Sequence, residues 1–309
     1  TFTAQGIDIQ RSSDGSINYA RGLVVTGGTA TVGSLQLGSV NSNGLASVEG
    51  GTLHVLGPVT IGSQTTSGRG GALRITSGSF TVEDTTEGLV LSKVNGTNAN
   101  NVSQANFLGG TSSVGKITLG FDETMTAGSG TVTINGGALY IGSGGIVKNG
   151  AAGMTTTITF TAGTLGAAAD WTTTHPIVFS GTGAKTVRAA NAAGDPFDIT
   201  LAGVLSSTGP LIKTGGGTLT LSGVNTRTGV TTINEGVLSV GTIANGGTAS
   251  NLGQAALAAT NLVINGGTLR YTGAGSSHNR LFSIGTNGAT LDASGTGAWI
   301  FNSPTALTV

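Results

Sequence analysis

Hydrophobic and polar residues alternate with a period of two in short runs along the whole chain, and most runs are bounded by glycine-rich corners. In GTLTLSG, Leu219 and Leu221 fall on one face of a strand and Thr218, Thr220 and Ser222 on the other, so one face is buried. The same unit, a small-residue corner followed by a Thr/Leu/Val alternation, recurs as TGGTATVGSLQLG from Thr26, EGGTLHVLGPVTIG from Glu49 and RGGALRITSGSFTV from Arg69. Further copies begin at Leu108 and Asn135, and looser ones follow to the end of the chain. Paired glycines accept positive φ at a sharp corner, while Thr and Val favour strands. Each unit has too few inward apolar residues to be stable alone, so neighbours must stack above and below it.

Successive corners lie mostly about 20 to 30 residues apart, the range of one solenoid coil. The pattern predicts an all-β solenoid of about twelve coils, roughly 60 Å long at the usual strand spacing. Residues 23–309 form the solenoid. Residues 1–22 alternate like a strand, lack the Gly-Gly corner and read as an N-terminal strand segment, a candidate donor to another subunit. Two stretches read as loops leaving the solenoid, 94–107, rich in asparagine, and 189–198. Glycine interrupts nearly every helical window, and one short helical turn is expected within Asn251–Thr260, with Asn251 as its N-cap.

Composition narrows the class. With 56 glycines but only 5 prolines, no strict triplet period and 37% hydrophobic residues, the chain is neither collagen-like nor disordered. Thirteen basic and thirteen acidic residues cancel, which leaves no field to hold nucleic acid or an anionic membrane. Cysteine is absent, so disulfides, Cys-ligated zinc and a thiol nucleophile are excluded. No apolar run approaches the roughly 20 residues of a membrane-spanning helix, and no membrane insertion by this chain is expected. The first residues lack the regions of a signal peptide, so a mature or trimmed chain is expected.

Candidate chemistry is sparse. His54, His175 and His278 lie far apart and share no metal or triad spacing with a carboxylate. Three acidic groups stand out: Glu83 with Asp84 and Glu87, Asp122 with Glu123, and Asp195 with Asp198. Adjacent strand residues point to opposite faces, so Asp122 and Glu123 cannot pair on one face without a bulge. No nucleophile elbow and no aspartate recurring with the glycines is present. Catalytic residues, metal and cofactor are therefore expected to be none. Asn95 and Asn101 stand in glycosylation sequons.

KTGGGTLTLSGVNTRTGVTTINEGVLSVG, Lys213 to Gly241, closely resembles the autotransporter-associated β-strand repeat of bacterial autotransporter passenger domains. The matching positions include Gly217, Leu219, Leu221, Gly223, Asn225, Gly229, Thr231, Gly236 and Leu238, and Arg227 stands where the repeat usually has an aromatic. The resemblance implies a right-handed parallel β-helix, export across a Gram-negative outer membrane and a secreted or cell-surface location. No C-terminal series resembles a translocator barrel, so a passenger, a fragment or a barrel-less protein is expected.

Three functions follow in order of expectation. The first is a non-enzymatic structural subunit that assembles head to tail into a filament, with Phe2, Ile7, Ile9, Trp299 and Phe301 as assembly contacts. The second is an adhesin passenger that binds glycans or other cells, and the third a polysaccharide-active β-helix enzyme. The uncharged end AWIFNSPTALTV supports the first, because solenoid ends expose strand edges that are normally blunted. Trp171, Trp299 and Phe301 are otherwise read as core residues.

Overall fold

The computed structural model describes residues 1–9, 22–38, 43–62, 70–93, 102–120, 127–150 and 152–303. Asn95, Asn101, Asp122, Glu123, residues 10–21 of the N-terminal segment and residues 304–309 lie outside the described residues. The chain divides into two compact units, Thr1–Thr159 and Phe160–Val309. Among the described residues every strand ladder is parallel, with strands pairing across successive coils, and the fold is a parallel β-solenoid.

In the first unit six strands stack in line: Phe2–Ala4, Thr29–Val32, Gly44–Val55, Gly71–Val82, Thr111–Leu119 and Ser129–Lys148. Their register places like residues over like. Val32, Val55, Val82, Val114 and Ile141 form one inward column, and all are buried. Leu35, Val59, Leu89, Ile117 and Ile146 form a second. Branched side chains in register nest on one another at the strand spacing, and this stacking buries each coil's otherwise insufficient core. The corners stack too. A Cβ on Gly110, whose φ is +66°, would lie 2.4 Å from the carbonyl oxygen of Gly78 in the neighbouring coil, so only glycine fits.

One inward column carries a polar break: Ala30, Leu53, Phe80, Ser112 and Leu139 lie in register. The small Ser112 follows the bulky Phe80, and its buried hydroxyl has no hydrogen-bond partner. Ser112→Ala removes an orphaned polar group at nearly constant volume and is expected to raise stability by about 1 kcal/mol. Urea unfolding checks this, and a destabilised variant would mean that the hydroxyl has a partner in solution.

The second unit repeats the logic. Trp171–Thr173, Ile199–Leu201, Thr218–Leu221, Val237–Val240, Thr268–Tyr271 and Thr290–Asp292 form a six-stranded sheet. Trp171, Ile199, Leu219, Leu238 and Leu269 line its inner face. Among the described residues the coils number about ten, close to the twelve expected from the repeats. Trp299–Phe301 pairs with Ser276–His278, and Trp299, Phe301, Phe282 and Tyr271 cluster around His278.

Local expectations need correction at two places. Val102–Phe107, expected within a loop, is a strand paired with Gly71–Val82 on one side and Ser129–Lys148 on the other. Its inward residues are Ser103, Ala105 and Phe107, an alternation masked by a serine whose hydroxyl donates to the Ile61 carbonyl at 2.8 Å. The helical turn is a 3₁₀ turn at Ala259–Asn261 without a side-chain cap. Asn251 instead binds the backbone of the preceding corner, accepting from the N–H groups of Gly241 and Thr242. Residues 189–198 leave the coil as a small excursion closed by an antiparallel bridge between Ala190 and Pro196.

Candidate binding surface

The repeat residues build corners and core. Leu219, Leu221 and Leu238 are buried, and a Cβ on Gly217, Gly223 or Gly229 would strike a backbone carbonyl of the preceding coil. Gly236 has a φ of +58°. Asn225 is buried and ties three segments together: its Oδ1 accepts from Leu205 N at 2.7 Å and its Nδ2 donates to Asn251 O at 2.6 Å. The repeat signature is thus a set of folding instructions.

Arg227 shows why the aromatic position tolerates a cation. Its guanidinium lies 6.0 Å from the Phe179 ring centre and donates to the carbonyls of Gly209, Gly229 and Val230 and to the Thr231 hydroxyl. It fills the space of a ring while satisfying carbonyls that the corner turns inward. Lys185, Lys213 and Arg280 do the same at other corners; Lys213 Nζ donates to Thr214 O, Gly215 O and Glu235 O. Burial lowers the Arg227 pKa to about 10 and the Lys213 pKa to about 8. Sequence reasoning passed over these interior cations, although Lys213 sits two residues after Leu211 in a strand and so shares its inward face.

Two of the three expected acidic groups are engaged in structure, and Asp122 with Glu123 lies outside the described residues. Asp84 Oδ1 accepts from the N–H groups of Thr86, Glu87 and Gly88, Glu83 binds His54 at 2.7 Å, and Glu87 pairs with Lys93 at 2.5 Å. Asp195 accepts from Asn191 Nδ2, and Asp198 accepts from Thr218 N at 2.7 Å. His175 Nδ1 lies 2.7 Å from the Pro176 carbonyl. His278 is buried, takes a 2.7 Å hydrogen bond from the Trp299 indole at Nε2, and has its pKa lowered to about 4 by burial and by Arg280. Among the described residues no three His, Asp or Glu side chains are grouped to hold a metal ion. No helix among them is long and apolar enough to cross a membrane.

The expected assembly residues stand at three places. Phe2–Ala4 and Ile7–Ile9 dock in parallel on Thr29–Val32 and Leu35–Leu37 of the same chain. Phe2 is exposed and, with Ile7 and Leu23, borders an open groove of about 410 Å³. Trp299 and Phe301 are half-buried in the aromatic cluster, and Ile300 between them is exposed.

A regular surface is formed by the outward face of the first unit's stack. Thr29, Thr52, Ser79 and Thr111 lie in register in one column, and Thr31, His54, Thr81 and Ser113 in the next. They form a grid with rows about 4.8 Å apart and columns about 6.6 Å apart. Apart from His54 its side chains are short Thr and Ser, and the corners beside it are glycine pairs or Ser77-Gly78.

A family model described as the passenger-associated-transport-repeat matches residues 211–240. The chain is 41% identical over 125 residues to the adhesin BmaC autotransporter of Brucella suis biovar 1. That match covers 40% of this chain and only 4% of the relative, so the chain spans a small part of that relative's length. No solved structure matches. The repeat match, the adhesin match and the stacked parallel coils together support an autotransporter-passenger type of β-helix.

Proposed function

We propose that this chain is a non-enzymatic segment of a Gram-negative surface adhesin, whose stacked coils present a lateral surface to glycans or to other cells. The observation that carries this reading is the extended identity to an autotransporter adhesin, in a chain whose signature residues serve the solenoid itself. The engagement of Glu83, Asp84 and Glu87 in turn and ion-pair contacts supports a binding role over a catalytic one. Its place is the cell surface or the medium around the cell. Beads coated with the chain are expected to adhere to host epithelial or bacterial cells more than beads coated with heat-denatured chain. Equal adhesion by both would overturn the reading.

Head-to-tail assembly is a second reading, favoured by the open groove beside Phe2, Ile7 and Leu23. Because the N-terminal strands are already docked in their own chain, assembly would proceed without exchange of those strands. Negative-stain images of the same preparation test it: filaments that Ile7→Asp abolishes support it, and single particles at every concentration refute it.

A further inference from the structure

We propose that the two-column hydroxyl face of the first unit is a docking surface for a neutral, repeating polysaccharide chain. The proposal rests on the adhesin reading and assigns that reading a site and a ligand class.

The first ground is that the hydroxyls are uncommitted. Elsewhere the fold uses such groups: Thr76 donates to Val48 O, Ser92 to Ser129 O and Thr118 to Glu87 O. On this face none of the seven Thr and Ser hydroxyls has a hydrogen-bond partner among the described residues. Thr29 and Thr111 are exposed, and the others are half-buried by their neighbours in the rows. They are donors and acceptors held in place by parallel register, with only water to serve.

Charge selects the ligand class. The grid's one titratable side chain, His54, is paired with Glu83, and no Lys or Arg stands in either column. An anionic glycan would meet no compensating cation and would lose hydration on docking. A neutral chain rich in hydroxyls both donates and accepts, which complements a surface that does the same. The second unit offers a contrast: its outward column Thr172, Thr200, Thr220 and Ser239 runs into the ion pair Arg270–Asp292.

Repetition selects a polymer. A single exposed hydroxyl contact contributes only about 1 kcal/mol or less, which is too little to hold a monosaccharide. A chain that repeats its hydroxyls along the stack engages several rows at once, and each later contact forms at high effective concentration. The Gly27–Gly28, Gly50–Gly51 and Gly109–Gly110 corners carry no side chains and Ser77 at the corner between the last two is small, so a ligand overhanging that edge meets little obstruction.

The test uses the whole 309-residue chain in sedimentation with insoluble cellulose, chitin and mannan, and with insoluble pectate as the anionic control. The variant T29V/T31V/T52V/T81V/T111V removes five hydroxyls while keeping β-branched shape, and circular dichroism with thermal melting confirms its fold. The expected result is retention of the parent chain on at least one neutral polymer. Retention should fall on the order of tenfold or more in the variant, and T172V/T200V/T220V on the second unit should bind like the parent. The proposal is overturned if the parent binds none of the three neutral polymers, if it prefers pectate, or if the five-site variant binds equally well. It is also overturned if both variants lose binding alike. Cell adhesion by the five-site variant separates the two readings: undiminished adhesion removes the site and leaves the adhesin, whereas polysaccharide binding without cell adhesion does the reverse.

Discussion

Arg227→Ala is expected to destabilise the second unit by about 4 kcal/mol. The side chain is 2% exposed, and its removal orphans the carbonyls of Gly209 and Gly229 together with the Thr231 hydroxyl, while the Val230 carbonyl keeps its bond from Leu211 N. Each orphaned buried group costs about 1 to 3 kcal/mol, and the vacated space beside Phe179 adds a cavity term. Relief of burying a cation near Arg280 works in the other direction and keeps the total below the simple sum. Arg227→Lys keeps the charge but loses the planar fork, and should fall between the two. Urea unfolding followed by circular dichroism measures both. A loss under about 1 kcal/mol for the alanine variant would mean that water reaches these carbonyls and that the guanidinium is dispensable.

Acid is expected to weaken the second unit through His278 before carboxylates contribute. Both ring nitrogens face N–H donors, Trp299 Nε1 at 2.7 Å and Arg280 N at 3.2 Å, so a second ring proton finds no acceptor. Phe301 packs edge-on at 4.9 Å, and Arg280 is the charged group that disfavours the imidazolium. The folded pKa of about 4 lies below the unfolded value of about 6.5. Above that unfolded value the stabilising effect of a neutral His278 is complete. As pH falls from about 6.5 to 4 the unfolded chain takes the proton first, and about 3 kcal/mol is lost. Below the folded pKa this group causes no further loss. Asp292, whose carboxyl the Arg270 hydrogen bond holds below its usual range, loses its contribution only at lower pH. Denaturant unfolding from pH 7.5 to 3.5, read by tryptophan fluorescence, should show the slope, and His278→Gln should flatten it. A parent profile flat across that window would refute the assignment.

Legibility differed with the distance over which the information acts. The Gly-Gly corners and the Leu219/Leu221 alternation are local, and both appear in the fold where the pattern placed them. Val102–Phe107 was hidden because its inward positions hold Ser103 and Ala105, residues that look polar or small until the Ile61 carbonyl is found beside them. The fate of the acidic residues was equally nonlocal: His54 meets Glu83 from another coil.

By itself the sequence determined the solenoid. Alternation, turn residues and the coil-length period act within a few tens of residues, and each is sufficient to specify a strand, a corner or a stacking repeat. Tertiary structure alone decided which residues come into register, because a strand's neighbours are supplied by the next coil at a corner-dependent offset. That register places Lys213 between Val187 and Ile233, leaves Ser112 beneath Phe80, and aligns Thr29, Thr52, Ser79 and Thr111 into a surface that no single repeat contains.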